Sequence, residues 1–218
     1  DIKSPILLIE INDNKFKFIV GEIDNEDNFK LIFKNTFLFE GISDNKIINF
    51  DLVFNSIKST IYNIEQKLKK VFGEAILVLD DCNTSLINFS GYKRLNGSQL
   101  TKENITYILN SLKSKVNEIE KEKKILHIFN SKYLLDGKKI ENLPIGLFGN
   151  FYSQELSFFL IDNNYIKNLY NIFNNCNLKI KKIISKNYLL GTNLINQNIN
   201  LETFLIIKFE MQTCKIIF

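Results

Sequence analysis

Apolar residues recur along this chain in two rhythms, every second position and every third or fourth. Ile6 to Ile9 form a continuous apolar run after Pro5, as in a buried strand. Phe16, Phe18 and Val20 alternate with Lys15 and Lys17, and Phe29, Leu31 and Phe33 carry the alternation on to about Phe39. Gly21 to Asn28 between them is turn chemistry. This pattern predicts three antiparallel strands, the first two joined by a tight turn. A helix follows, with Val53, Phe54, Ile57, Ile61, Ile64, Leu68 and Val71 on one face. Asn49 or Asp51 can cap its start and Gly73 its end. Ala75 to Asp80 then reads as a short buried strand, so the opening predicts a mixed sheet with a helix on one face.

The middle of the chain has its own pattern. Thr84 to Leu95 looks strand-rich with a bend at Gly91. Thr101 caps a helix carrying Ile105, Ile108, Leu109, Leu112, Val116 and Ile119. Strands are expected around Ile125–Leu135 and Phe151–Ile161. The first pattern then resumes. Asp162 caps a helix with Ile166, Leu169, Tyr170 and Phe173, the segment at Leu178 to Ile184 is a strand, and Asn187 to Ile195 begins another helix. Two final strands, Phe204–Ile207 and Lys215–Phe218, flank a short turn. A lone pair of strands makes no stable domain, so this end must pack on the rest.

Composition narrows the chemistry. The 218 residues carry a formal net charge of +4 with acids and bases interspersed, and no stripe of Arg with interleaved aromatics argues for nucleic acid. With one His and three widely spaced Cys (Cys82, Cys176, Cys214), neither a metal site nor a disulfide framework is expected, and the thiols read as buried and free. No apolar run is long enough to span a membrane, and the first residues do not read as a signal peptide. His127 lacks a nucleophile at a recognisable spacing and reads as a structural hydrogen-bonding residue, so no catalytic residue is assigned. Glu65 reads as a solvated charge and Asp136–Gly137 as a turn. The Pro144–Gly149 loop, through Pro144, Gly146 and Gly149, is a candidate partner-contact surface.

The segment His127 to Gly149, "HIFNSKYLLDGKKIENLPIGLFG", resembles a signature of the bacterial cell-division protein FtsA family. His127, Asp136, Gly137, Ile140, Pro144, Gly146 and Gly149 match, Tyr133 stands for Phe, and Asn130 replaces a Pro. Gly41, Ile42, Ile47, Ile57 and Glu65 match a second stretch, and Leu100 to Ile105 resembles the start of the helix in that family's inserted subdomain. The resemblance implies an α/β actin-like fold. A ribonuclease-H-like subdomain 1A would cover 1–80 and 161–198. An inserted α+β subdomain 1C would cover 81–160, and 199–218 would open subdomain 2A.

Actin-like ATPases hold phosphates with two glycine-bearing hairpin turns. The family's first turn resembles Asp-Ile-Gly-Thr-x-Lys; here Glu10, Ile11, Asn12, Asp13, Asn14 and Lys15 stand there. The second, Asp-Ile-Gly-Gly-Gly-Thr, becomes Lys208 to Thr213, where only Thr213 matches. The implied nucleotide-binding positions are therefore Glu10, Asn12, Asp13, Asn14, Lys15 and Thr213, in a degraded cradle for ATP and magnesium. The resemblance implies a division scaffold working by protein contacts, with ATP binding weakened or lost and no enzyme activity expected. Its partners would be an FtsN-like tail through subdomain 1C and other copies of itself. It would act in the cytoplasm, at the inner membrane face through those partners. Contact with FtsZ and a membrane anchor would require the family's remaining C-terminal half. Two alternatives stand beside this reading. One is an active ATPase of the division ring within a longer chain; the other is a PilM-like pilus assembly protein, against which the His127–Gly149 segment argues.

Overall fold

The computed structural model describes residues 5–25, 28–80, 84–197, 205–209 and 214–217. In chain order the elements are β1 (Ile6–Asn12), β2 (Lys15–Ile23), β3 (Phe29–Leu38), the two-residue strands β4 (Ile42–Ser43) and β5 (Lys46–Ile47), α1 (Phe50–Leu68) and β6 (Glu74–Leu79). Next come β7 (Thr84–Arg94), α2 (Lys102–Ile119), β8 (Lys123–Leu135), β9 (Lys138–Ile140) and β10 (Phe151–Asp162). The chain continues with α3 (Asn163–Asn175), β11 (Lys179–Ser185), α4 (Lys186–Gln197), β12 (Ile206–Phe209) and β13 (Cys214–Ile217). Two compact units result, one of Asp1–Cys82 with Asn168–Phe218, the other of Asn83–Lys167.

The first unit is built on a five-stranded sheet in the order β11-β6-β1-β2-β3. The first three strands in sequence are antiparallel, while β6 and β11 run parallel to β1. Pleat alternation explains the core. Leu7, Ile9 and Ile11 pair with Val20, Phe18 and Phe16 on β2 and with Ala75, Leu77 and Leu79 on β6, and all nine are buried. Helix α1 buries Val53, Ile57, Ile61 and Ile64. Asn49 caps it, its side chain accepting from the Leu52 N–H at 3.2 Å.

The end of α1 departs from the sequence reading. The left-handed residue is Lys69 (φ 52°), not Gly73, and the Lys70 N–H reaches back to the Glu65 carbonyl at 3.2 Å. The helix stops at Leu68, so Val71 lies outside it and is 87% exposed. Glu65 is no free surface charge either, because its Oε1 accepts the Phe72 N–H at 2.8 Å and pins the chain leaving the helix.

The second unit is a four-stranded sheet, β7-β10-β8-β9, with α2 against one face. Ile108, Leu112 and Val116 of α2 join Tyr152, Leu156, Phe158 and Leu160 of β10 in a single core. Thr101 and Asn104 form a reciprocal capping box at the start of α2. Ile119, expected on the buried face, is exposed at the last turn. No bend forms at Gly91, and β7 pairs with β10 without interruption through Arg94. A Cβ at Gly91 would lie 2.5 Å from Ile108 Cγ2 and 3.1 Å from Leu112 Cδ1, so the glycine permits close approach of α2. Asp162 caps α3 by accepting the Tyr165 N–H at 2.7 Å.

The thiols are not uniformly buried as composition suggested. Cys214 is exposed at the start of β13 and Cys176 is half-buried after α3, while Cys82 lies outside the described residues.

Candidate functional site: an ion-pair cluster at the strand ends

Parallel strands place their carboxyl ends along one edge of a sheet, where ligands of open α/β sheets collect. Here β1, β6 and β11 end at Asn12, Leu79 and Ser185. The next residue after β6 is Asp80, whose N–H extends the ladder to the Ile11 carbonyl at 2.8 Å. The next after β11 is Lys186, the first residue of α4. Glu10 and Lys17 sit opposite one another on β1 and β2. Topology thus gathers charged residues from the β1–β2 hairpin and from just past β6 and β11.

They pair with one another. Lys186 Nζ donates to Asp80 Oδ2 at 2.6 Å and to Glu10 Oε1 at 3.0 Å. Lys17 Nζ donates to the same Glu10 oxygen at 2.7 Å. Lys208 Nζ, from β12, donates to Asp80 Oδ1 at 3.1 Å, and Asn12 Nδ2 donates to Asp80 Oδ2 at 3.4 Å. The Asp80 side chain is 9% exposed, so its two lysine partners act in a partly water-poor setting where charge pairs matter. Burial pushes the Asp80 carboxyl up, but hydrogen bonds from Lys186 and Lys208 and the attraction of both ammonium groups hold it below its ordinary value. Glu10 behaves alike: burial raises it, and Lys17 and Lys186 bring it down further than burial lifts it. Burial works against the Lys186 ammonium, yet Asp80 and Glu10 raise its pKa overall.

The residues read from sequence as a phosphate cradle take different places. Glu10 and Asn12 belong to the cluster. Asp13 adopts a left-handed φ of 48°, which lets the hairpin close without glycine. Asp13 Oδ1 accepts the Asn45 N–H at 2.8 Å, and Asn45 Oδ1 accepts the Asp13 N–H at 3.0 Å, tying the β1–β2 turn to the β4–β5 turn. The Asn14 carbonyl accepts the Phe39 N–H at 2.9 Å, and Lys15 is exposed. Thr213 lies outside the described residues. Sequence reading missed Asp80, Lys17, Lys186 and Lys208 as site residues. The position of Asp80 and Lys186 just past parallel strands is the signal that could have found them.

The Pro144–Gly149 loop lies in the second unit. Pro144 and Gly149 are buried, and Gly146 takes a φ of 86°. These three shape the loop; the residues it exposes are Leu143, Ile145, Leu147 and Phe148. Asp136 does more than turn the chain, since its Oδ1 accepts the Asn150 and Phe151 N–H groups at 2.8 and 2.7 Å. His127 sits in β8 with its ring 5.9 Å from Phe129 and 6.2 Å from Phe159. Among the described residues no group of three or more His, Cys, Asp or Glu could hold a metal ion.

No family model matches the chain. Individual proteins do. The chain is 27% identical over 176 residues to the cell division protein FtsA of Buchnera aphidicola from Acyrthosiphon pisum, covering 81% of this chain and 42% of that protein. FtsA of Buchnera aphidicola from Schizaphis graminum is 26% identical over the same shares. Over these residues the chain is similar in sequence to FtsA. It spans about two fifths of the length of these FtsA relatives. Among solved structures, a PilM–PilN type IV pilus biogenesis complex aligns over 97% of this chain and 56% of its own, with a TM-score of 0.58 and 11% identity. That likeness concerns the fold alone, which is the actin-like ATPase fold. No helix among the described residues is long and apolar enough to cross a membrane.

Proposed function

We propose that this chain is an FtsA-like division scaffold whose phosphate site has been replaced by internal ion pairs. The observation that carries the reading is the pairing of Lys17, Lys186 and Lys208 with Glu10 and Asp80. In an actin-like fold the hairpin turns of β1–β2 and β12–β13 are where phosphates would be held. Lys208 stands where the family's second turn has an acidic residue, and here it meets Asp80 instead. A triphosphate entering would have to separate these pairs and leave two carboxylates beside phosphate oxygens, a like-charge arrangement that opposes binding. Without a glycine in the first turn, backbone approach to phosphate is hindered as well. Work by protein contact then remains. The unit around 81–160 would carry it, toward an FtsN-like tail and other copies of the chain, at the inner membrane face through partners. Contact with FtsZ and a membrane anchor would come from sequence matching the rest of the FtsA relatives.

Titration calorimetry with ATP and magnesium on the intact protein tests the reading. No saturable heat is expected at micromolar to millimolar nucleotide. Saturable micromolar binding would favour the active ATPase instead. Removal of residues 81–160 is expected to abolish pull-down of division partners.

A further inference from the structure

The second unit has two ends. The chain enters and leaves it at one, where Thr84 pairs with Ile161 and Lys123 with Asp162. At the other, where Arg94 pairs with Phe151, lie the loop after β7, the β8–β9 turn and the loop 141–150. That far end exposes Leu143 (36%), Ile145 (42%), Leu147 (51%) and Phe148 (68%) within six residues, with no charge from Asn142 to Asn150. A soluble surface rarely concentrates large apolar side chains in this way without a use for them.

We propose that this end is a contact surface for an anionic lipid bilayer, independent of the scaffold reading above. Three observations support a lipid layer. First, the loop's backbone is already hydrogen-bonded within the protein. Gly146 N–H donates to the Leu100 carbonyl at 2.8 Å, Leu147 N–H to Pro144 at 3.2 Å and Gly149 N–H to Ser98 at 3.3 Å, while the Leu147 carbonyl accepts from Leu100 at 2.9 Å. Such a loop can enter a water-poor layer without stranding these polar groups. Second, amphipathic rings lie toward the same end. Tyr92 (64% exposed) stacks on Phe151 at 5.4 Å, and Tyr107 (60% exposed) lies under Lys93 Nζ at 4.9 Å. Rings of this kind favour the headgroup level. Third, segments 92–103 and 136–151 carry Lys93, Arg94, Lys102, Lys138 and Lys139 against Asp136, Glu103 and Glu141. The five bases outnumber the three acids, so the end presents net positive charge to anionic headgroups.

Flotation of the full chain with phosphatidylglycerol vesicles, and separately with phosphatidylcholine vesicles, tests this. The chain should float with the anionic vesicles and about tenfold less with the neutral ones. Leu147→Asp/Phe148→Asp should lose flotation while keeping its circular dichroism and thermal melt, because both side chains are exposed. Lys138→Gln/Lys139→Gln should weaken flotation several-fold and blunt its salt dependence. Failure of the unaltered chain to float, equal flotation on both lipids, or flotation unchanged by the aspartate pair would overturn the proposal. A dimer on size exclusion that the aspartate pair converts to monomer, with no flotation of either protein, would overturn it in favour of a contact between copies.

Discussion

Lys208 Nζ lies 3.1 Å from Asp80 Oδ1, joining the β12–β13 hairpin to the end of β6 across 128 residues of sequence. Asp80 also receives Lys186 at 2.6 Å, so one carboxylate is the counter-charge shared by two lysines. Replacing it should therefore cost more than replacing either lysine. Asp80→Asn is expected to lower stability by about 1–3 kcal/mol in urea unfolding, because two ammonium groups are left without their strongest counter-charge. Lys208→Met should cost less, since Lys186 still holds Asp80. A double-mutant cycle on the Asp80–Lys208 pair should return a coupling of about 1 kcal/mol. Hydrogen exchange of the β12–β13 amides should quicken in both variants. Equal urea midpoints for all variants would show that the cluster adds nothing to stability.

The same cluster sets an acid limit. Asp80 and Glu10 are both held below their ordinary values of 3.8 and 4.5. The unfolded chain then binds more protons than the folded one in the window just below those values, so stability rises with pH there. The contribution is present in full above about pH 5 and is lost as pH falls through the folded-state values. Lys186 acts oppositely, with its contribution present below its ordinary 10.5 and lost as pH climbs through its raised value. Urea midpoints measured from pH 2 to 6 should fall more gently for Asp80→Asn than for the unaltered chain. Parallel curves would place the acid sensitivity elsewhere.

What the sequence made legible follows from the range of the forces involved. The helix over Phe50–Leu68 announces itself by apolar spacing, and Asn49 is a recognisable cap because its side chain acts within three residues. Its end was misread. Lys69 pays the left-handed strain that glycine avoids, and the nearby Glu65–Phe72 bond fixes the chain leaving the helix. Gly91 invited a bend because a strand glycine is locally ambiguous, and only the approach of Ile108 and Leu112 reveals its use. The site followed the same division. Glu10 and Asn12 were legible from the family turn. Lys186 and Lys208 were not, because they reach Asp80 over 106 and 128 residues through strand order alone.

Gly91 gives the second unit a sharp packing test. A Cβ there would sit 2.5 Å from Ile108 Cγ2 and 3.1 Å from Leu112 Cδ1, so α2 must shift outward to admit even a methyl group. Gly91→Ala is expected to destabilise by about 1–3 kcal/mol through overpacking, and Gly91→Val by more. Ile108→Ala should partly rescue Gly91→Ala by opening room at the clash, although alone it costs about 2–5 kcal/mol as a cavity. Purely additive losses would mean that the two positions do not share the contact.

Thiol reactivity separates two cysteines that composition could not. Cys214 is exposed, whereas Cys176 is half-buried and burial pushes its pKa from an ordinary 9.0 up to about 11, against a smaller downward pull from Lys58. The thiolate is the reactive form, so at pH 8 native Cys176 should hold on the order of a hundredfold less of it than an ordinary thiol. In a Cys82→Ser background, a disulfide reagent should label Cys214 rapidly and Cys176 slowly, with the two rates converging in 6 M guanidinium. Site-by-site mass spectrometry reads both. Fast labelling of Cys176 in the folded protein would mean that the turn after α3 opens readily and that its burial is not maintained in solution.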